Sequence, residues 1–318
     1  MFKVTIVDYE WEDIELEKKM FAEANIECIV LQSKEKEKII EAAKSSDALL
    51  VLYGNIDREI LEGAPNLQLV SRYGIGVNMI DVDAATEIGV QVANVNDYCV
   101  DEVSDHALAG ILAGARRLFE YNFHTMDGGW DFKSVKRPLR ASKAVVGLLG
   151  YGKIPKRLAE KLVAIGYQVI AYDPFVEAEQ MRGDGVIKAT VEEIMQQSDF
   201  ISVHVPLIQS TRHLLGRAEF ELAGKKPYII NTARGPIIDE QAMIAALKTG
   251  QLAGAFLDVT EEEPLPVQHP LRNLPNVVLS PHAAWYSEDA YREIREKAVM
   301  NIIEKARGQI PTYALNLR

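Results

Sequence analysis

The chain has 318 residues, 48% of them hydrophobic and 25% charged, which suits about two domains of roughly 150 residues each and excludes wholesale disorder. Its 35 basic and 46 acidic residues leave a net charge of −11, which argues against bulk binding to nucleic acid or to an anionic membrane. No apolar run approaches the ~18 residues of a membrane span, acidic residues arrive too early for a signal peptide, and Cys28 and Cys99 make neither a disulfide framework nor a metal motif, so free thiols in the cytoplasm are expected.

In chain order, short β-branched runs at 3–7, 27–31, 48–53, 67–72 and 90–95 read as strands, with helical patterns such as 13–24 and 34–44 between them. A second series follows at 144–149, 168–172, 200–205, 228–232, 254–259 and 277–280. This alternation predicts two α/β units, with five and six strands, each a doubly wound parallel sheet covered on both faces. Between the series, 101–119 is a long helical pattern with Val103, Ala107, Ile111, Ala115 and Leu118 on one side. The irregular stretch 120–143 then carries Trp130 and Phe132 among charges. A surface loop is the plainer reading. An arm that buries these aromatics on a second copy, making a homodimer, is the preferred one. The last pattern, 288–307, repeats Ile294, Ala298, Ile302 and Ala306 and is expected to return to the first unit. The expected domains are therefore 1–98 plus 288–318, and 99–287 with 119–143 as the arm, hinged near Tyr98 and Ser287.

The most informative stretch is Val145-Val146-Gly147-Leu148-Leu149-Gly150-Tyr151-Gly152-Lys153-Ile154-Pro155, a strand, a glycine turn and a helix start. Gly150 suits the tight turn, and Gly152 lets backbone approach a pyrophosphate. The helix opening at Lys153 and Ile154 offers free N–H groups and a partial positive charge to that anion. Asp173 ends the next strand, 21 residues beyond Gly152, where it can accept hydrogen bonds from ribose hydroxyls. Its carboxylate would repel a 2′-phosphate, so NAD is expected over NADP. Pro155 stands where a third glycine is usual, which proline tolerates in a first helical turn.

Three further features end consecutive late strands: Arg234 after Asn231-Thr232-Ala233, Asp258 followed by Glu261-Glu262-Glu263-Pro264, and His282 after Ser280-Pro281. Ligands bind off the carboxyl ends of parallel strands, so these groups should converge near the glycine turn. Their chemistry fits hydride transfer to a carbonyl: a histidine to supply the proton, a carboxylate to orient it, and an arginine to stabilise developing charge.

On these motifs, over nearly its whole length, the chain resembles the D-isomer-specific 2-hydroxyacid dehydrogenase family. The resemblance implies a flavodoxin-like substrate domain and a Rossmann NAD-binding domain. It implies an NAD-dependent enzyme that moves a hydride between NAD(H) and a small anionic 2-hydroxy or 2-keto acid. Arg234, Glu263 and His282 would be the catalytic set, with His282 as acid/base. Asp258 and the Thr232–Ala233 backbone would hold the nicotinamide end, and Val205, Pro206 and Thr211 would line the cofactor. The substrate carboxylate would rest on Arg72-Tyr73-Gly74-Ile75-Gly76, a loop whose glycines also make sense as an anion nest. The run Pro281-His282-Ala283-Ala284-Trp285-Tyr286-Ser287 is similar to the branch containing the C-terminal-binding proteins. Trp285 there would wall the substrate side chain or pack structurally. An NAD-responsive corepressor and a phosphoglycerate dehydrogenase are the alternatives. His106, His124, His204, His213 and His269 have no metal partner at useful spacing and read as structural.

Overall fold

The computed structural model describes residues 1–316, which divide into two units. Met1–Cys99 and the chain from Ser287 onward form the first, and Val100–Tyr286 forms the second.

In the first unit β1 (Lys3–Ile6), β2 (Glu27–Val30), β3 (Ala48–Val51), β4 (Leu69–Arg72) and β5 (Gln91–Ala93) run parallel in the order β2-β1-β3-β4-β5. That is the flavodoxin-like order. Every residue of β3 and β4 is buried; β3 accordingly reads as an unbroken apolar run, while β4 ends on the buried polar residues Ser71 and Arg72. Ile39, Ile60 and Ala84 from three helices pack with Leu49, Val51, Val70 and Val92. The Glu288–Ala306 helix is fastened to the sheet by polar contacts: Ser71 Oγ donates to the Ala298 carbonyl (2.8 Å), and Asn301 Nδ2 donates to that of Asn94 (3.0 Å). On the Glu15–Glu23 helix the fully buried Glu17 accepts from Arg295 Nε (2.8 Å) and Nη2 (2.6 Å) and from the Tyr73 hydroxyl (3.2 Å).

The second unit contains β6 (Val145–Leu149), β7 (Gln168–Tyr172), β8 (Ile187–Lys188), β9 (Phe200–Val203), β10 (Tyr228–Asn231), β11 (Gly254–Leu257) and β12 (Val277–Leu279). They are parallel in the order β12-β11-β10-β9-β6-β7-β8, a Rossmann arrangement with one added strand. The expected six strands become seven because β8 is a two-residue edge strand, too short to show any alternation. Strand order reverses between β6 and β9, and the crevice at their carboxyl ends is where such sheets take ligands.

The Val100–Arg116 helix lies close on this sheet because it carries Gly110 and Gly114. A Cβ on Gly110 would come 2.7 Å from the Phe256 ring, and one on Gly114 3.2 Å from Phe200. The helix expected over 101–119 breaks at Arg117, whose φ is +57°, and a separate Leu118–Met126 helix follows. The break is stabilised by one distant partner and one near one: the buried Arg117 guanidinium bonds to the Tyr228 hydroxyl and to Glu120. Leu118 is thereby turned outward, 55% exposed, instead of joining Ala115 in the core.

Candidate active site

The glycine turn lies at the reversal point of the second sheet. Gly150 has φ +98°, and its N–H donates to the Tyr172 carbonyl (2.8 Å). A side chain there would also press on the His204 backbone, since its Cβ would lie 2.9 Å from the His204 carbonyl. Only glycine satisfies both constraints. Gly152 caps the Lys153–Ile165 helix with no side-chain cap bond, and open space surrounds the place of its missing Cβ. The first-turn N–H groups of that helix have no intrahelical partner, which suits an anion at this end. Lys153 is exposed and Ile154 half-buried at its mouth, while Pro155 is buried in the first turn, where it has no intrahelical N–H bond to lose.

Asp173 is oriented by two backbone donors, Tyr151 N to Oδ2 and Phe175 N to Oδ1, both 2.9 Å. Its carboxylate is thus fixed at the end of β7, with lone pairs left for hydroxyl donors. Beyond β9, Val205 is buried and Pro206 exposed. The Thr211 hydroxyl donates to the Pro206 carbonyl (2.5 Å) and accepts from Ile208 N (2.9 Å), so it shapes this loop first of all. Burial pushes the His204 imidazole down to about 3, so it adds no cation to the turn.

Past β10, Asn231 clamps the next loop from both sides. Its Nδ2 donates to the Arg234 carbonyl (2.9 Å), and its Oδ1 accepts from Ala233 N (3.0 Å). Arg234 Nη1 reaches the Ala233 carbonyl (2.6 Å). Gly235 lets this loop approach the one after β11, because a Cβ there would lie 2.0 Å from the Thr260 carbonyl. Sequence reasoning assigned Gly235 no packing role, since the contact depends on a segment far along the chain. The buried Thr232 Oγ1 has no hydrogen-bond partner among the described residues. With the open space at Gly152, this orphaned hydroxyl fits a dinucleotide lying along the strand ends.

Glu263 and His282 meet at the same edge, with Oε2 2.7 Å from Nδ1. The two side chains are 37% and 39% exposed, so solvent protons can reach the pair. Burial alone would raise the Glu263 pKa. The His282 hydrogen bond and charge, the Thr260 N–H (3.2 Å) and the nearby Arg234 charge outweigh it, and the net shift is below the ordinary carboxylate range. A carboxylate at Oε2 makes Nδ1 the donor and leaves Nε2 to exchange a proton with a ligand. The structure thus brings Arg234, Glu263 and His282 to the carboxyl ends of β10, β11 and β12.

Asp258, expected at the nicotinamide end, is engaged with the turn after β12. It is 2% exposed, and its carboxylate accepts from Ser280 Oγ (2.6 Å), Ala283 N (2.8 Å) and Ala284 N (2.9 Å). Its task is to shape the turn that carries His282, whose own N–H donates to the Asp258 carbonyl (2.8 Å). His282 has φ +54°, a left-handed backbone that a non-glycine residue holds only when its surroundings impose it. Trp285, half-buried, packs edge-on against Tyr286 with ring centroids 5.4 Å apart.

In the first unit the 72–76 loop corrects one expectation. Tyr73 is fully buried with its hydroxyl on Glu17, so its side chain is not a ligand contact. Arg72 is 8% exposed and folds over Gly74, where a Cβ would lie 1.9 Å from Nη1. Gly74 has φ +124°, and Ile75 is half-buried with its carbonyl accepting from Asn94 Nδ2 (2.7 Å).

Residues 108–284 match the family model described as D-isomer specific 2-hydroxyacid dehydrogenase, NAD binding domain. A glyoxylate reductase of Korarchaeum cryptofilum is 35% identical over 287 residues, covering 88% of this chain and 86% of that protein. A D-3-phosphoglycerate dehydrogenase of Methanocaldococcus jannaschii is also 35% identical over 284 residues, but these cover 89% of this chain and only 54% of that protein. The crystal structure of the TT0316 protein from Thermus thermophilus superposes with a TM-score of 0.86 at 28% identity, covering 99% and 100% of the two chains. Two α/β sheets of these topologies, a dinucleotide turn at the reversal point and relatives of this closeness have one reading: the chain is a member of the D-isomer-specific 2-hydroxyacid dehydrogenase family, an NAD-dependent oxidoreductase.

Proposed function

We propose that this chain reduces a small 2-keto acid of the glyoxylate class with NADH, and that Arg234, Glu263 and His282 carry the reaction. The observation that supports this most is the Glu263–His282 couple at 2.7 Å, accessible to solvent, on the edge that also carries the glycine turn. NADH, when bound, supplies the hydride. Gly150, Gly152, Lys153 and Ile154 surround its pyrophosphate. Asp173 takes the ribose, and Val205, Pro206 and Thr211 line the path. Thr232 Oγ1 and Ala233 face the nicotinamide end, with Asp258 acting there through the turn it holds. Arg234 binds the keto acid and stabilises charge developing on its carbonyl oxygen. His282 Nε2 delivers the proton to that oxygen while Glu263 fixes the ring.

The first unit serves as the substrate domain, with Arg72 and the backbone of Gly74 and Ile75 as the carboxylate nest. Arg72 is the one cation in residues 72–80, which suits a carboxylate better than a carboxylate plus a phosphate. Trp285 favours an apolar substituent if it lines the substrate. Cys28 and Cys99 are thiols rather than disulfide partners, which accords with a cytoplasmic setting. No helix among the described residues is long and apolar enough to cross a membrane.

A panel of 2-keto acids, glyoxylate and phosphohydroxypyruvate included, assayed with NADH and with NADPH tests the reading. Fastest turnover is expected with a small unphosphorylated keto acid and NADH. Tight NADH binding with no turnover across the panel would point instead to a cofactor-responsive binding protein.

The homodimer rests on the segment after Arg117. Phe123, Met126, Trp130 and Phe132 are 72%, 79%, 90% and 75% exposed, far more apolar surface than one short segment of a lone chain leaves in water. Light scattering should give twice the 35.4 kDa chain mass, and Trp130→Ser with Phe132→Ser should shift it toward one chain. A wild-type mass of one chain at micromolar concentration would remove this part of the proposal.

A further inference from the structure

The Val100–Arg116 helix reaches the catalytic turn through a side chain that sequence reasoning set aside. His106 Nε2 lies 2.9 Å from Ser280 Oγ. Ser280 Oγ in turn donates to Asp258 Oδ1 (2.6 Å), and His106 Nε2 is 3.7 Å from that same oxygen. Proton accounting fixes the direction of this chain of bonds. The Ser280 hydroxyl has one hydrogen, committed to Asp258, so its oxygen accepts from His106 and Nε2 must carry a hydrogen. The opposite tautomer would set two acceptors against each other.

Asp258 holds the turn at three points, and the turn holds His282 at φ +54°. Left to itself that backbone would relax toward negative φ and carry the imidazole off Glu263. One of the three bonds comes from Ser280, and His106 keeps that hydroxyl aimed. Hydrogen bonds in such a chain polarise one another, so losing the outer donor weakens the inner bond to the carboxylate.

We propose that His106 is a positioning residue for proton transfer, acting through Ser280 and Asp258 on His282. The inference rests on the reading of His282 as the acid/base. A merely structural role is the competing account, because His106 also packs against Phe256, with ring centroids 5.1 Å apart.

Substitutions separate the two. His106→Leu keeps the apolar contact and loses the donor. His106→Gln keeps an N–H donor and loses the ring. Steady-state kinetics are measured with NADH and the best keto acid of the panel, alongside thermal unfolding and NADH binding by fluorescence. His106→Leu should lower kcat by about 10- to 100-fold, roughly the cost of leaving a buried hydrogen-bonding group without its partner. KM for both substrates and NADH affinity should stay near wild type, and His106→Gln should recover most of kcat. Ser280→Ala should reproduce the leucine result, and the double variant should be no worse than either single one. Wild-type kcat in His106→Leu overturns the proposal, as does a glutamine variant no better than the leucine one. Should His106→Leu fail to fold, Ser280→Ala and His106→Gln decide alone: wild-type kcat in Ser280→Ala overturns it. His282→Ala is run in parallel. If that variant keeps turnover, the acid/base reading itself fails. If it loses turnover while His106→Leu does not, only the positioning role fails.

Discussion

Replacing His282 with alanine is expected to slow keto-acid reduction by about 10²- to 10⁴-fold, the usual contribution of a positioned general acid, while NADH still binds. The ring lies on Glu263 through Nδ1, which leaves Nε2 as its exchangeable position. The cofactor turn, Asp173 and Thr232 belong to other loops, so binding should survive the loss of the imidazole. The couple also has a pH signature. Glu263 titrates below the ordinary carboxylate range, so its contribution is complete above the unfolded value and is lost only as pH falls through the lowered, folded one. Wild-type activity should therefore persist through the range where an ordinary glutamate protonates. Stopped-flow and steady-state rates on wild type and His282→Ala from about pH 3.3 to 7.5, roughly one unit beyond the ordinary glutamate and histidine values, are the measurement. Unchanged turnover in the alanine variant would show that another group delivers the proton.

The second large effect is on stability and lies in the first unit. Removing either partner of the Glu17–Arg295 pair should cost about 3–5 kcal/mol, because the remaining charge stays buried without compensation. Glu17 is fully buried, and the Arg295 side chain is 9% exposed. Burial works against the Arg295 charge, but the hydrogen bonds and charge of Glu17 outweigh it and hold the guanidinium pKa above its ordinary value. Arg295 also stands over the rings of Trp11 and Tyr291, at 6.0 and 5.5 Å from their centroids. Arg295→Ala and Glu17→Ala should shift denaturant unfolding of the first unit and leave that of the second in place. Replacing both residues with leucine or methionine should be milder than either single change. A double variant as unstable as the sum of the singles would count against pairing as the cause.

Much of this was readable from the residues, for reasons that differ by element. β3, β6 and β10 are buried on both faces and so read as short apolar runs. The glycine turn was legible because backbone approach to an anion restricts side-chain size at fixed offsets, and the aspartate follows at a set distance. The placement of the trio was legible because each member lies in the loop that follows a late strand. What was hidden depends on partners far away in the chain. The break at Arg117 is held by Tyr228, 111 residues on. His106 meets Ser280 across 174 residues. Tyr73 looked like a loop side chain because nothing near it reveals Glu17, 56 residues earlier. Asp258 was identified as part of the site, but no spacing rule shows that its oxygens accept from Ser280, Ala283 and Ala284, 22 to 26 residues on.

The first unit is interrupted by the second, and this bears on how the molecule is made. The helix that fastens β4 and pairs with Glu17 begins only at Glu288. With synthesis at about 5–20 residues per second, residues 100–286 take roughly 10–40 s to emerge. Throughout that interval Glu17 waits without its guanidinium and the sheet without one of its covers. The second unit, continuous in sequence, can close on itself first, and the residues from Ser287 onward must then leave the ribosome before the first unit becomes whole.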